Sequence, residues 1–270
     1  MFKFFSRATL FALLSSPAVS TLADTSGINS CLSGNRAELP PVFLSYYPPN
    51  DFTTRNGDKF KLAGIILESL ATQKLEKRKQ DVISRFIAET RITNHIPASP
   101  KPDRYARLAT FPTRVGDDKA VTLQEKLIVQ GLARVLIEGL PSQCAHGLLK
   151  LEETARSKRT GLWKLQQYSI KKADQLQLSA IVSTYQIVSG QVISVSRRPE
   201  GTSFVNFGRN WSEDFTVSLS KNALKEWEAG KRNLEDLQDR TIYVRGWIEE
   251  SGGPIVRISN PFQLSIALSE

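Results

Sequence analysis

A short polar segment of the chain groups residue types that bind phosphate. Residues 103–107 read Asp-Arg-Tyr-Ala-Arg, which places a carboxylate, an aromatic ring and two guanidinium groups within five positions. Lys61 adds an ammonium group on an apolar, strand-like run. Arginine holds phosphate oxygens in pairs, whereas lysine supplies a point charge. We therefore predict that Lys61, Arg104 and Arg107 face the phosphates of a nucleic acid or another acidic polymer, with ordinary solvated charges as the alternative.

Other catalytic chemistries have little support in the residue types. His95 and His146 are isolated, with no partner at a spacing that suits metal ligation, so we predict no metal site. The chain has no G-x-S-x-G motif, no phosphate-binding glycine loop and no arrangement of a cysteine nucleophile with a histidine base. The sequence accordingly predicts no resident cofactor.

Four sequence blocks occur in an order that is typical of one protein family. They are FKLAGI at residues 60–65, DRYARLA at 103–109, LQEKLIVQGLARV at 123–135 and LLKLEETARSKRTGLW at 148–163. The region that contains them resembles the staphylococcal-nuclease (thermonuclease-like) family. This resemblance implies an OB-fold-type barrel with three helices, and a phosphodiesterase site in which carboxylates hold Ca²⁺ and activate water.

The same resemblance indicates that the catalytic set is incomplete. The metal-binding aspartate of the family falls on Ile66, and the water-activating glutamate falls on Ser69. Glu68 is one residue out of register and would serve only if a bulge turned it, because adjacent strand residues face opposite sides. Of the two phosphate-bracing arginines, Arg107 is retained. Lys61 stands in place of the other and lacks its planar fork.

The earlier acidic motif of the family is not recognisable in this chain. Asp51 and Asp58 are poor substitutes by their sequence context, and Asp103, which matches a family acidic position, cannot assemble a Ca²⁺ site alone. Loss of a metal ligand, the base and one arginine removes most of the rate of such an enzyme. We therefore expect Ca²⁺ only if the chain is a phosphodiesterase with a rearranged site.

The elements that must position these residues follow from the residue pattern. Asn56-Gly57 predicts a hairpin turn, and residues 60–67 predict a buried strand. Helices are predicted at residues 69–89, 123–133 and 142–159, the last of which ends before Gly161. The periodicity of the first helix predicts that its basic residues are exposed, namely Lys74, Lys77, Arg78 and Lys79.

The second half of the chain predicts another barrel. Three strands, at residues 185–195, 202–207 and 214–219, precede a helix at 221–228 and two strands at 241–248 and 255–259. This order is typical of the OB-fold. The fold class is therefore mainly β with helices (α+β). We predict a thermonuclease-like domain at residues 24–165, a linker at 166–184 and a smaller OB-like β-domain at 185–270.

The first 23 residues predict export. Lys3 and Arg7 precede a short apolar core at residues 8–14, and cleavage fits after Ala23 or Ser20, which is the pattern of a secretory signal. We expect a periplasmic or secreted protein, with no membrane-spanning segment after the signal. The two cysteines, Cys31 and Cys144, can form a disulfide in such a compartment, and two buried free thiols are the alternative.

The charge is concentrated in one half of the chain. The formal net charge is +9, and basic residues outnumber acidic ones at residues 24–165 but balance them at 166–270. A polyanion would therefore meet the first half. We predict a catalytically degenerate, exported binding or scaffold module, with nucleic acid or another acidic polymer at the first domain and an envelope protein at the second. The alternative is a Ca²⁺-dependent nuclease that uses Arg107 and Glu68.

Overall fold

A computed structural model describes residues 31–32, 36–40, 42–67, 69–88, 90–97, 101–117, 120–210 and 212–267. The predicted signal at residues 1–23 lies outside the described residues. The described chain is mixed α+β with several sheets, which confirms the predicted fold class. None of its described helices is both long and apolar enough to cross a membrane.

The first half of the chain forms a barrel of short strands with one long helix. In chain order its elements are β1 (Arg36–Glu38), β2 (Ser45–Tyr47), β3 (Asp51–Thr53), β4 (Lys59–Leu62), β5 (Ile65–Ile66), α1 (Gln73–Ile87), β6 (Ile92–Pro97) and β7 (Arg107–Arg114). One sheet has the order β1-β6-β7-β4-β3-β2, and β4 runs parallel to β7. Val42, between β1 and β2, forms a bridge with Ile92 of β6. The segment from β1 to β2 therefore contacts both ends of this strand order, as in an OB-fold barrel.

Two turns place the strands that carry the candidate site. The predicted hairpin at Asn56-Gly57 joins β3 to β4, and it sets Phe52 opposite Phe60 with both rings buried. The predicted strand at residues 60–67 is interrupted. Gly64 has a φ of 72° and lies against Leu148, so the chain turns there and separates β4 from β5.

Two further helices pack beside this barrel. They are α2 (Leu123–Val129) and α3 (Ser142–Ser157), with the short strand β8 (Arg134–Val135) between them. Thr122 and Glu125 form a capping box at the start of α2. The helix ends four residues earlier than predicted, because the chain turns at Gly131, which has a φ of 60°, and then enters β8. Strand β8 pairs with β5, which carries Ile66.

The predicted disulfide is confirmed. Cys31 and Cys144 are bonded to each other, and both are buried. The bond fixes the start of the described chain to α3 across a sequence separation of 113 residues. Such a bond persists in an oxidising compartment, which fits an exported protein.

The second half forms another barrel. Single-turn 3-10 helices occur at Gly161–Lys164, Gln166–Tyr168, Ala173–Gln175, Glu235–Leu237 and Pro261–Gln263. The remaining elements are β9 (Lys171–Lys172), α4 (Leu178–Ile181), β10 (Tyr185–Gln191), β11 (Ser194–Arg197), β12 (Ser203–Asn206), β13 (Thr216–Leu219), α5 (Lys221–Ala229), β14 (Thr241–Trp247), β15 (Glu249–Ser251), β16 (Gly253–Ile258) and β17 (Leu264–Ile266).

The strand pairing of this half is that of an OB-fold. Strand β10 pairs with β14, β11 with β12, β12 with β13, and β13 runs parallel to β16. Strands β15 and β16 form a hairpin that returns the chain towards β14. The helix α5 follows the third strand, as predicted, and its Trp227 is buried in the core of the barrel.

A buried polar seam joins the two halves. Glu152 of α3 is 1% exposed; its Oε2 accepts a hydrogen bond from Arg245 Nη1 at 2.6 Å, and its Oε1 accepts one from Val135 N at 2.7 Å. Arg134 Nη1 donates to the carbonyl oxygen of Tyr185 at 2.6 Å. The Tyr185 hydroxyl donates to the carbonyl oxygen of Val135 at 3.0 Å. The halves are therefore connected by directional, desolvated hydrogen bonds as well as by apolar contact.

Candidate functional site

A tight turn presents Arg107 at the start of β7. The Oδ1 atom of Asp103 accepts hydrogen bonds from the backbone N–H of Tyr105 at 2.9 Å and of Arg107 at 3.1 Å. Ala106 has a φ of 60°, a left-handed conformation that such a turn requires. Because β7 runs parallel to β4, Arg107 lies beside Lys59, two positions before Lys61 on the neighbouring strand.

The predicted phosphate-binding cations meet their own carboxylates. Arg107 Nη2 lies 2.9 Å from Asp103 Oδ2, and its Nη1 lies 2.8 Å from Asp51 Oδ1. Lys61 Nζ lies 3.1 Å from the same Asp103 oxygen. Two positive and two negative side chains thus form one cluster, which we call the Arg107 cluster: Asp51, Lys61, Asp103 and Arg107. Its formal charges cancel.

The cluster is partly shielded from water, which strengthens its internal bonds. Burial alone would raise the pKa of the Asp103 carboxyl, but hydrogen bonds from Arg107 and Lys61 outweigh it and hold that pKa well below its usual range. Burial opposes the charge of Arg107 as well. Its bonds to Asp103 and Asp51 nevertheless raise the pKa of the guanidinium. The Nε and Nη2 atoms of Arg107 donate to Asp103, and its Nη1 atom donates to Asp51.

The rim of the cluster carries an exposed aromatic ring. Tyr105 is 55% exposed, and the guanidinium carbons of Arg104 and Arg107 lie 5.0 Å and 4.9 Å from its ring centroid. Such stacking holds both guanidinium groups in place beside the ring. Arg104 is exposed and therefore presents the accessible positive charge at this rim.

The positions that should supply metal ligands and a base do not do so. Ile66 lies in β5, paired with Arg134 of β8, and its side chain has no ligand atom. Ser69 is exposed. Glu68 lies outside the described residues. Within the ranges that the structure describes, no three histidine, cysteine or acidic side chains come together as a metal site.

The predicted exposure of the basic helix is wrong at one residue. The side chain of Lys79 has 0% exposure, and its Nζ lies 2.9 Å from Glu76 Oε2. Its position faces the barrel because Lys79, Val82, Ile83 and Phe86 share the buried side of α1. Lys77 is exposed and pairs with Asp81 at 3.1 Å. Arg78 donates to Gln130 of the turn after α2 at 3.1 Å.

Sequence reasoning did not place Asp51 beside Arg107. This residue seemed a poor acidic substitute by its context, yet it contacts Arg107, 56 residues away. The signal was present in the hairpin. Once Asn56-Gly57 sets Phe52 opposite Phe60, the alternating register brings Asp51 opposite Lys61. A register argument would therefore have placed Asp51 beside the candidate cations.

The fold and the site together define a class of protein. An OB-type barrel with helices packed beside it, and an arginine held by a carboxylate at the start of a barrel strand, is the architecture predicted from the four sequence blocks. Residues 66–165 match the family model described as staphylococcal nuclease homologue. This region of the chain is therefore a staphylococcal-nuclease-like domain, which confirms the resemblance. No curated protein matches the chain.

Proposed function

We propose that the chain is an exported, catalytically inactive relative of the staphylococcal nucleases whose first barrel is a binding module. The neutral Arg107 cluster is the observation that carries this proposal. A phosphodiesterase of this kind needs carboxylates that hold a cation and a base that activates water. Here the carboxylates at the site bind the protein's own Arg107 and Lys61, and Ile66 stands at a ligand position.

The first half of the chain supports an acidic polymer as the ligand class. Its excess of basic residues favours association with phosphate or another repeated anion. Arg104 and Tyr105, both exposed, offer a charge and a stacking surface of the kind that single-stranded nucleic acid uses. The second barrel would then contact an envelope protein, in the periplasm or outside the cell, where the Cys31–Cys144 disulfide persists.

A cleavage assay tests the loss of catalysis. The mature chain is incubated with single- and double-stranded DNA and RNA, once with Ca²⁺ and once with a chelator. We expect no cleavage under either condition. Chelator-sensitive cleavage that Arg107→Ala abolishes would contradict the proposal and would support the phosphodiesterase instead. The observation that favours this second candidate is that Asp51 joins Asp103 at Arg107, which gives the site two carboxylates.

A pair of charge-matched variants tests whether the Arg107 cluster limits anion binding. Asp51→Asn removes the more exposed acid from Arg107, so we expect single-stranded DNA to bind about two- to fivefold more tightly. Asp58→Asn changes the net charge by the same amount in the same hairpin, where its carboxylate accepts from Thr54 rather than from Arg107. Fluorescence anisotropy across salt concentrations measures both affinities.

Equal effects of the two variants would contradict a role of Arg107 in binding, because only overall charge would then matter. Arg107→Ala is expected to weaken binding and to lower the salt dependence by about one ion, as the loss of one phosphate contact does. Unchanged affinity in Arg107→Ala would place the acidic polymer elsewhere on the chain.

A further inference from the structure

A cleft lies where α3 meets the second barrel. It encloses about 750 Å³ and is lined from both halves of the chain, by Leu149 of α3 and by Tyr243, Leu264 and Ile266 of the barrel strands, with Phe262 beside them. This volume is within the range of small-molecule sites, which frequently lie between domains. Ile266, which is 48% exposed, keeps one wall apolar and open to solvent.

The lining of the cleft includes a buried indole ring. Trp227 lines the cleft and is only 2% exposed. Its indole Nε1–H has no hydrogen-bond partner in the part of the chain that the structure describes. A buried donor that lacks an acceptor is unfavourable, so an oxygen atom that a ligand placed there would be stabilised.

The guanidinium group of Arg232 is a second donor in the cleft lining, beside Trp227. Arg232 lines the cleft, and its guanidinium carbon lies 4.0 Å from the centroid of the Trp227 ring. No ion pair of Arg232 occurs among the described residues. Partial burial lowers the pKa of this guanidinium, because no carboxylate offsets the lost hydration. A bound anion would stabilise the charged guanidinium in place of the water that burial removes.

Two other guanidinium groups of the cleft wall form ion pairs within the protein. Arg245 binds Glu152 and Arg156 binds Glu153. The guanidinium carbon of Arg156 also lies 5.6 Å from the centroid of the Tyr243 ring. Lys150 adds a further positive charge to the lining. The wall is therefore basic overall, and Arg232 makes no ion pair with the residues that the structure describes.

We propose that this cleft binds a small anionic ligand with an apolar body, of the class of aliphatic or aromatic carboxylates. The acid oxygens would accept from Arg232 and from the Trp227 indole, and the apolar body would lie against Leu149, Phe262 and Ile266. The site is distinct from the Arg107 cluster. The proposal does not rest on the function proposed for the first barrel.

Isothermal titration calorimetry of the full mature chain with dodecanoate tests this proposal, below the concentration at which dodecanoate forms micelles. We expect saturable binding of one dodecanoate per chain and none of dodecylammonium, which has the same body and the opposite charge. Arg232→Gln should weaken dodecanoate binding about ten- to hundredfold, since it removes a charged hydrogen bond in a shielded site.

Arg198→Gln is the matched control, because Arg198 also stacks on an aromatic ring of the second barrel, 4.8 Å from the Phe204 centroid, and lines a different pocket. It should leave dodecanoate binding unchanged. Equal weakening by both variants, equal binding of dodecylammonium, or no saturable binding of dodecanoate would overturn the proposal.

A measurement on the unaltered chain covers the case in which Arg232→Gln does not fold. Dodecanoate should shift the indole N–H resonance of Trp227, which is assigned by its absence in the spectrum of Trp227→Phe. The resonance of Trp247, an exposed indole on the same barrel, should not move. A shift of Trp247 without one of Trp227 would place the ligand elsewhere and contradict the assignment of this cleft.

Discussion

At the scale of single residues, the defining feature is that Asp103 satisfies groups that a substrate would otherwise engage. One oxygen organises the turn before β7, and the other binds Arg107 and Lys61. Because it accepts from several donors, the Asp103 carboxylate stabilises the conformation of the turn as well as the charges of Arg107 and Lys61. The same residue that presents Arg107 at the surface therefore reduces its availability to an external phosphate.

We expect Asp103→Asn to lower the free energy of unfolding at pH 7 by about 2 kcal/mol. The pKa of Asp103 is lower in the folded than in the unfolded chain, so its stabilisation is fully present above the ordinary aspartate pKa of about 3.9. The stabilisation is lost as the pH falls below that value towards the folded pKa. Denaturant unfolding of both proteins between pH 3 and 7 measures the difference.

The gap between the two proteins should therefore narrow below about pH 4. Asp58→Asn provides the comparison, because Asp58 lies exposed in a hairpin and makes its side-chain bond to Thr54. A gap of the same size at every pH would show that Asp103 acts through its shape and not through its charge.

Residue identity alone predicted part of this site. Arg107, Lys61 and Asp103 were found because their types and spacing match a family pattern. The pairing with Asp51 follows from the strand register at the Asn56-Gly57 hairpin, which residue types alone do not specify. The burial of Lys79 was missed for a related reason. Its long stem can lie on the apolar side of α1 when Glu76 receives the ammonium group, a compensation that periodicity does not reveal.

At the scale of elements, two glycines join the third and fourth sequence blocks. Gly131 lies in the third block and Gly161 in the fourth, and the backbones of the two residues touch. Leu162 N donates to the carbonyl oxygen of Gly131 at 2.8 Å. A Cβ atom on Gly161 would lie 2.2 Å from that oxygen. The turn after α2 and the 3-10 turn after α3 therefore fit together only without side chains.

We expect Gly161→Ala to lower the free energy of unfolding by about 3 kcal/mol or more, because it combines a positive φ of 57° with a backbone collision. Gly57→Ala is the matched control. Its φ is 87°, but a Cβ atom there would meet no atom within 4 Å, so it should cost only about 1–2 kcal/mol. Thermal and urea unfolding of both variants measures this difference.

Equal destabilisation by the two substitutions would mean that conformational strain, and not the contact with Gly131, accounts for the glycine at 161. The sequence predicted the helices around these glycines within a few residues, because their apolar periodicity is strong. It could not predict that α2 stops at Val129, since the end is imposed by a segment 30 residues further along the chain.

At the scale of the whole molecule, the two barrels meet through charged groups that are removed from water. Glu152 and Arg245 form the centre of this contact. Breaking a buried pair costs more than the pair contributes, because the remaining charge is left without a partner. Removal of either partner of this pair therefore destabilises the folded chain.

We expect Arg245→Met to lower the free energy of unfolding by about 3–5 kcal/mol, since it leaves the Glu152 carboxylate buried without its cation. Addition of Glu152→Gln in the same chain should recover part of this loss. Arg257→Gln breaks an exposed pair with Glu249 in the same barrel and should cost less than about 1 kcal/mol. Denaturant unfolding monitored by tryptophan fluorescence measures all of these variants.

If Arg245→Met lowers the free energy of unfolding no more than Arg257→Gln does, the buried pair does not stabilise the contact between the two barrels. A double variant whose loss in the free energy of unfolding exceeds the sum of the losses in the two single variants would also contradict a stabilising role of this pair. The sequence does not predict this pair, because Glu152 and Arg245 lie far apart on the chain, in different halves.

The disulfide gives a further prediction at this scale. Replacement of Cys31 and Cys144 by serine should lower the free energy of unfolding by about 4–5 kcal/mol in the chain-entropy model, because the bond closes a loop across 113 positions. Chemical unfolding of the oxidised chain and of the double variant measures the loss. A loss under about 1 kcal/mol would indicate that the unfolded chain stays compact without the bond.

The position of Arg245 has a consequence for how this protein can be divided. Glu152 belongs to the region that matches the staphylococcal nuclease homologue, whereas the cation that neutralises it lies 80 residues beyond the end of that region. A fragment cut at the edge of the match would carry an unneutralised acid into what had been its interior. We therefore expect the smallest stable fragment to extend beyond the matched region and to include Arg245 of the second barrel.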